Sequence, residues 1–97
     1  MLPVSVNAQE PGDAQAGFLF AKKNCVECHA VGQGQTESSN PEAPSFDSVA
    51  KTRGMTGRAL AVWLQTSHPT MPNFLITHED RNNVISYIMS LKPVPVQ

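Results

Sequence analysis

Residues 25–29 read Cys25-Val26-Glu27-Cys28-His29, and no other run limits so tightly what this chain can fold into. Two cysteines three residues apart lie about one helical turn from each other, so both thiols can reach one edge of a single flat ligand. The imidazole of His29 follows at once and can coordinate a metal held in that ligand. C-x-x-C-H is a haem-attachment signature. Each thiol adds to one vinyl group on the same porphyrin edge, and His29 falls beneath the iron.

C-x-x-C without the histidine has other readings: a thioredoxin-like dithiol, half of a zinc site, or a short-range disulfide. Zinc wants four ligands, yet the chain has no second cysteine pair and only His68 and His78 as further histidines. A dithiol oxidoreductase sits in a βαβ setting, and no β-rich run precedes Cys25. A Cys25–Cys28 disulfide would close a very small loop and constrain the unfolded chain little. Covalent haem is the leading reading, with dithiol and metal behind it.

Ninety-seven residues make one small domain, with aromatic residues at only 6%. A chain of that size is hard to stabilise by side-chain burial alone, and a porphyrin would supply apolar core surface that the side chains lack. The net charge of −1 offers no field for nucleic acid or an anionic membrane. No stretch approaches the ~18–20 apolar residues of a membrane-spanning helix. At the N-terminus, Val4-Ser5-Val6-Asn7-Ala8 before Gln9 has the small-residue form of a secretory cleavage site, without the charged and fully apolar regions that normally precede it. Removal near Ala8 is expected, and with it export to the periplasm, where haem is joined to cysteine. An ordinary N-terminal tail is the alternative, and Met1 does not decide between them.

Residues 1–13 read as a flexible segment, 14–92 as the folded domain and 93–97 as a tail. A helix is predicted over 14–24, with Asp13 as N-cap. Gly17 and Ala21 share one face of it, a narrow stripe flanked by Phe18 and Phe20 where another helix could come close. Residues 31–43 are loop by every local criterion. A short helix follows over 46–51 with Phe46, Val49 and Ala50 as its apolar members, broken by Thr52-Arg53-Gly54. A third runs from a Thr56 N-cap to about residue 65, with Leu60, Trp63 and Leu64 on one face. Pro69 and Pro72 exclude a regular helix in the next stretch. The last helix opens with Thr77-His78-Glu79-Asp80, a capping-box form with Asp for Glu. Val84, Ile88 and Leu91 follow on one stripe, broadened by Ile85, Tyr87 and Met89, and Pro93 and Pro95 stop it. The fold class is all-α, about four short helices with long loops.

A haem held by His29 has a second axial position, whose occupant decides between electron transfer and exogenous ligand binding. Candidates are Met55, Met71, Met89, His68 and His78. Met89 lies in the last helix as core filler, and His78 falls at that helix's exposed start. Met55 sits in a Gly-flanked turn and stays open, as does His68. Met71 is favoured because it lies 42 residues beyond His29, enough to pass around a porphyrin. Pro69 and Pro72 also stiffen the backbone on both sides of it, so little entropy is lost on ordering.

With the C-x-x-C-H run and Met71-Pro72 in place, the chain resembles the class I cytochromes c, most of all the short single-haem bacterial periplasmic members, over essentially residues 14–92. The resemblance implies a cytochrome c fold wrapped around one covalent haem c, with thioethers at Cys25 and Cys28 and axial ligands His29 and Met71. Gly17 matches the family glycine of the N-terminal helix and Tyr87 the aromatic residue packed near it where the terminal helices cross. Pro44 matches the family proline whose carbonyl accepts the proximal histidine's Nδ1 proton. Phe46, Trp63 and Phe74 are implied as haem-packing residues. Ala21 stands where the family often has an aromatic residue, and the lysine ring of mitochondrial relatives is absent. The implied function is a monomeric electron carrier rather than an enzyme, taking electrons from periplasmic dehydrogenases and passing them to oxidases or reductases. The competing readings are a haem sensor or peroxidase-like protein with a displaceable sixth ligand, and a haem subunit of a larger dehydrogenase.

Overall fold

The computed structural model describes residues 11–65 and 76–92, and they form four helices and no strand. These are α1 (Ala14–Asn24), α2 (Phe46–Ala50), α3 (Gly57–Gln65) and α4 (His78–Ser90). The expected cleavage region near Ala8, His68, Met71, Phe74 and the C-terminal tail lie outside the described residues.

Each helix begins at a polar side chain that accepts one of its first free backbone N–H groups. Asp13 accepts from Gln15 and Ala16 at the start of α1. Ser45 does so for Ser48 in α2, Thr56 for Ala59 in α3 and Thr77 for Asp80 in α4. The predicted caps at Asp13, Thr56 and Thr77 are therefore in place. For α4 the threonine half of the capping box is the part seen. Gly54, with φ of 77°, turns the chain between α2 and α3 in a region that only glycine enters freely.

Helix α4 is the centre of the packing: α1, α2 and α3 all contact it, α1 most extensively. Backbone meets backbone where α1 touches α4. A Cβ on Gly17 would lie 1.8 Å from the carbonyl oxygen of Asn83, so no side chain larger than hydrogen fits. One turn on, Ala21 is fully buried. The start of α1 is tied to the same place on α4 by the Asp13 N–H, which donates to Asn83 Oδ1 at 2.8 Å. Beside this seam the rings of Phe18 and Tyr87 pack with centroids 5.2 Å apart.

The core gathers along α4. Val84, Ile85, Tyr87 and Ile88 are buried with Leu91 just beyond, against Phe46 and Ala50 of α2 and Leu60 of α3. Met89 is only partly buried against them. The 31–43 segment is non-helical, as its composition implies, yet Val31 is buried in the core. The Tyr87 hydroxyl donates to its carbonyl.

Two substitutions test this frame. Gly17→Ala forces a methyl into a backbone carbonyl, and overpacking against an element that cannot yield costs about 2 kcal/mol or more. The denaturant midpoint should fall with an unchanged m-value. Tyr87→Phe keeps the ring packing but leaves the Val31 carbonyl unmatched, so a loss of about 1 kcal/mol is expected in the same measurement.

Candidate haem site

Cys25 is the C-cap of α1, its N–H donating to Ala21 O. The chain then makes one more turn: the N–H groups of Cys28 and His29 both donate to the Cys25 carbonyl, at 3.2 and 2.9 Å. This winding brings two thiols and an imidazole, nearly consecutive in sequence, onto the wall of one cavity of about 510 Å³. The apolar part of the wall comes from three helices: Phe46 and Val49 of α2, Leu60, Trp63 and Leu64 of α3, Val84 and Ile88 of α4.

The His29 ring is held from behind. Its Nδ1 lies 2.6 Å from the carbonyl oxygen of Pro44. A carbonyl can only accept, so the proton is on Nδ1 and the Nε2 lone pair is left for a metal. Phe46 packs against the same ring with centroids 5.4 Å apart. The two backbone segments involved are fastened to each other, because the Phe46 N–H donates to Ala30 O at 2.8 Å. Ser38 Oγ accepts the Ala30 N–H at 2.9 Å, and the Asn40 N–H donates to Cys28 O at 3.1 Å. The loop that composition marks only as irregular is thus the bracket behind the histidine.

Burial pushes the Cys25 thiol up to about 11, so at neutral pH it is a protonated group in an apolar wall. A reactive dithiol requires the reverse shift. Among the described residues no group of three His, Cys, Asp or Glu side chains is placed to hold a metal ion, so the zinc reading lacks its ligand set there.

Of the residues singled out from the sequence, Cys25, Cys28, His29, Pro44, Phe46 and Trp63 all line the cavity. Gly17 and Tyr87 lie at the α1–α4 seam. Trp63 departs from the expected apolar face of α3: Leu60 is buried, but Trp63 is 57% exposed. Leu60, Trp63 and Leu64 all border the cavity. Met55 also lines the cavity, and Lys92 Nζ donates to its carbonyl at 3.1 Å. His78 is at the exposed start of α4, with its Nδ1 beside the Arg81 guanidinium at 2.6 Å.

Sequence reasoning passed over Asp47. It is buried at 4% exposure, with its carboxylate accepting from Lys51 Nζ at 2.7 Å and from the Gly34 N–H at 3.2 Å. Those two bonds, the lysine's first, hold its carboxyl below the usual carboxylate range. The i,i+4 lysine was the one local signal; the bond to Gly34 needed the fold.

An all-α fold closed over a C-x-x-C-H turn, with a carbonyl-tethered histidine and an apolar cavity, has the features of a protein with covalently attached haem. The sequence profile described as cytochrome c matches residues 14–92. A cytochrome c-552 from Bradyrhizobium diazoefficiens is 38% identical over 81 residues, covering 84% of this chain and 77% of the relative. No solved structure matches the chain. The chain belongs to the cytochrome c family. It is a c-type cytochrome, with haem c as its cofactor and electron transport as its work. The cavity fits that group, with apolar walls for the macrocycle and two thiols on one edge. Among the described residues no helix is long and apolar enough to cross a membrane.

Because folding lowers the Asp47 pKa, this group stabilises the native state at neutral pH, and that contribution disappears as pH falls through its folded value. Urea unfolding of wild type and Asp47→Asn from pH 7 to pH 3 should show a stability gap that narrows as the medium becomes acidic. An unchanged gap would mean that Asp47 is not ionised in the fold.

Proposed function

We propose that His29 and Met71 are the two axial ligands, and that the protein shuttles single electrons between periplasmic redox proteins. The observation that carries this reading is the 2.6 Å contact of His29 Nδ1 with the Pro44 carbonyl, made on the turn that also presents Cys25 and Cys28 to the cavity. That contact orients the imidazole and raises its basicity as a ligand.

Haem c, when bound, supplies a one-electron iron couple. The chain's own residues keep the iron's surroundings nearly the same in both oxidation states. Cys25 and Cys28 fix one porphyrin edge, while the Pro44 carbonyl and the Phe46 ring stop His29 from rotating. Leu60, Val84 and Ile88 keep water from the inner wall. A methionine thioether on the other side favours the ferrous state relative to a second histidine, and Met71 between its prolines is suited to that position. Trp63, which lines the cavity, would approach a propionate, and Phe74 is assigned to haem packing by resemblance. Cys25 and Cys28 would hold the haem edge at this turn, where partners would dock through a small transient interface. Donors are periplasmic dehydrogenases and acceptors are oxidases or reductases. Residues 14–92 form the domain that does this, as a monomer, after an N-terminal signal ending near Ala8 is removed.

Met55 is the competing sulfur ligand, since it lines the cavity. The ferric protein should show the sulfur-to-iron charge-transfer band, lost in Met71→Ala and retained in Met55→Ala. The reverse pattern would move the ligand to Met55. If wild type lacks the band and binds CO readily once reduced, the electron-carrier reading gives way to a sensor or peroxidase-like protein.

A further inference from the structure

The segment from His29 to Gly34 is fastened to its surroundings at four successive points. His29 Nδ1 meets Pro44 O, Ala30 O accepts from the Phe46 N–H, Val31 O accepts from the Tyr87 hydroxyl, and the Gly34 N–H donates to Asp47 Oδ1. Three of the four run to the stretch from Pro44 to Asp47. All four join residues at least 13 positions apart in the sequence. Asp47 is the outermost fastener and the only ionised one. It is the third residue after Pro44, so whatever holds Asp47 holds the carbonyl against which His29 rests. Its other oxygen is occupied by Lys51 Nζ, which anchors the carboxylate to α2. Lys51 is the charged group that acts on it, and the Asp47 charge, after burial, pushes the Tyr87 hydroxyl up.

We infer that Asp47 is a positioning residue for the haem-ligating imidazole, clamping the loop at Gly34 to α2 and so fixing the Pro44 carbonyl behind His29. This rests on the reading of His29 as an iron ligand. Loss of the clamp loosens the Nδ1–H···O bond, makes His29 a less basic ligand and weakens its support of the ferric state. Loss of the negative charge acts in the same direction, because a buried anion favours the more positive iron. The equilibrium should therefore move toward the ferrous form.

The experiment uses the haem-loaded protein as wild type, Asp47→Ala and Asp47→Asn. The ferric/ferrous equilibrium is read against a redox mediator, and exchange of the His29 Nδ1 proton is read by NMR in the reduced state. Asp47→Ala should speed Nδ1–H exchange about tenfold, in keeping with the loss of roughly one hydrogen bond of tethering, and shift the equilibrium several-fold toward ferrous. Asp47→Asn keeps an oxygen for the Gly34 N–H. It should restore most of the exchange protection while retaining the smaller, charge-dependent part of the shift. It also remains readable if the alanine variant does not hold haem. If the variants only lower thermal stability and leave exchange and equilibrium at wild-type values, Asp47 is a packing residue and the inference is wrong. If the wild-type spectrum shows no protein histidine on the iron, the ligand assignment itself falls, which is a separate and recognisable result.

Discussion

The close approach of α1 and α4 at Gly17 is the contact on which the rest depends. Helix α1 ends at Cys25, so the position of the haem-binding turn is set by how α1 lies on α4. Helix α4 in turn supplies Val84 and Ile88 to the cavity wall and Tyr87 to the loop behind the histidine. A side chain at residue 17 would push the two backbones apart and move the thiols relative to the wall they face. With glycine there, the Asp13–Asn83 bond and the Phe18–Tyr87 ring contact can form on either side of the seam.

A domain this small buries too little apolar surface to waste any. The buried side chains nonetheless leave a cavity of about 510 Å³ between the Cys25–His29 turn and three helices. That arrangement makes sense for a chain whose covalent cofactor completes its core, and it explains why aromatic residues are so few. It also accounts for Trp63 on the cavity wall.

Polar groups do the fine placement. The carbonyl of Pro44, the hydroxyls of Ser38 and Tyr87 and the carboxylate of Asp47 each satisfy a group in the loop after His29. Inside a protein such bonds are stronger than in water, and leaving one unmade is costly. A loop without regular structure can therefore hold an imidazole as firmly as a helix could. The Asp47 carboxylate is tolerated in its buried place because Lys51 and the Gly34 amide compensate its charge.

Much of this was legible in the chain itself. The C-x-x-C-H run, the caps at Asp13, Thr56 and Thr77, and the helical spacing of Val84, Ile88 and Leu91 are local signals, because caps and periodicity act within a few residues. Gly17 was marked by its stripe with Ala21, and Pro44 and Tyr87 by resemblance to a known family. The burial of Val31, its bond to Tyr87 fifty-six positions away and the clamp of Asp47 on Gly34 were not legible. Each depends on which segments come together in space, and no local pattern encodes that. Sequence alone determined that the chain carries haem and marked Cys25, Cys28 and His29 as the residues expected to hold it; tertiary structure decided how the loop behind the histidine is fastened, because long-range hydrogen bonds and packing exist only once the helices have met.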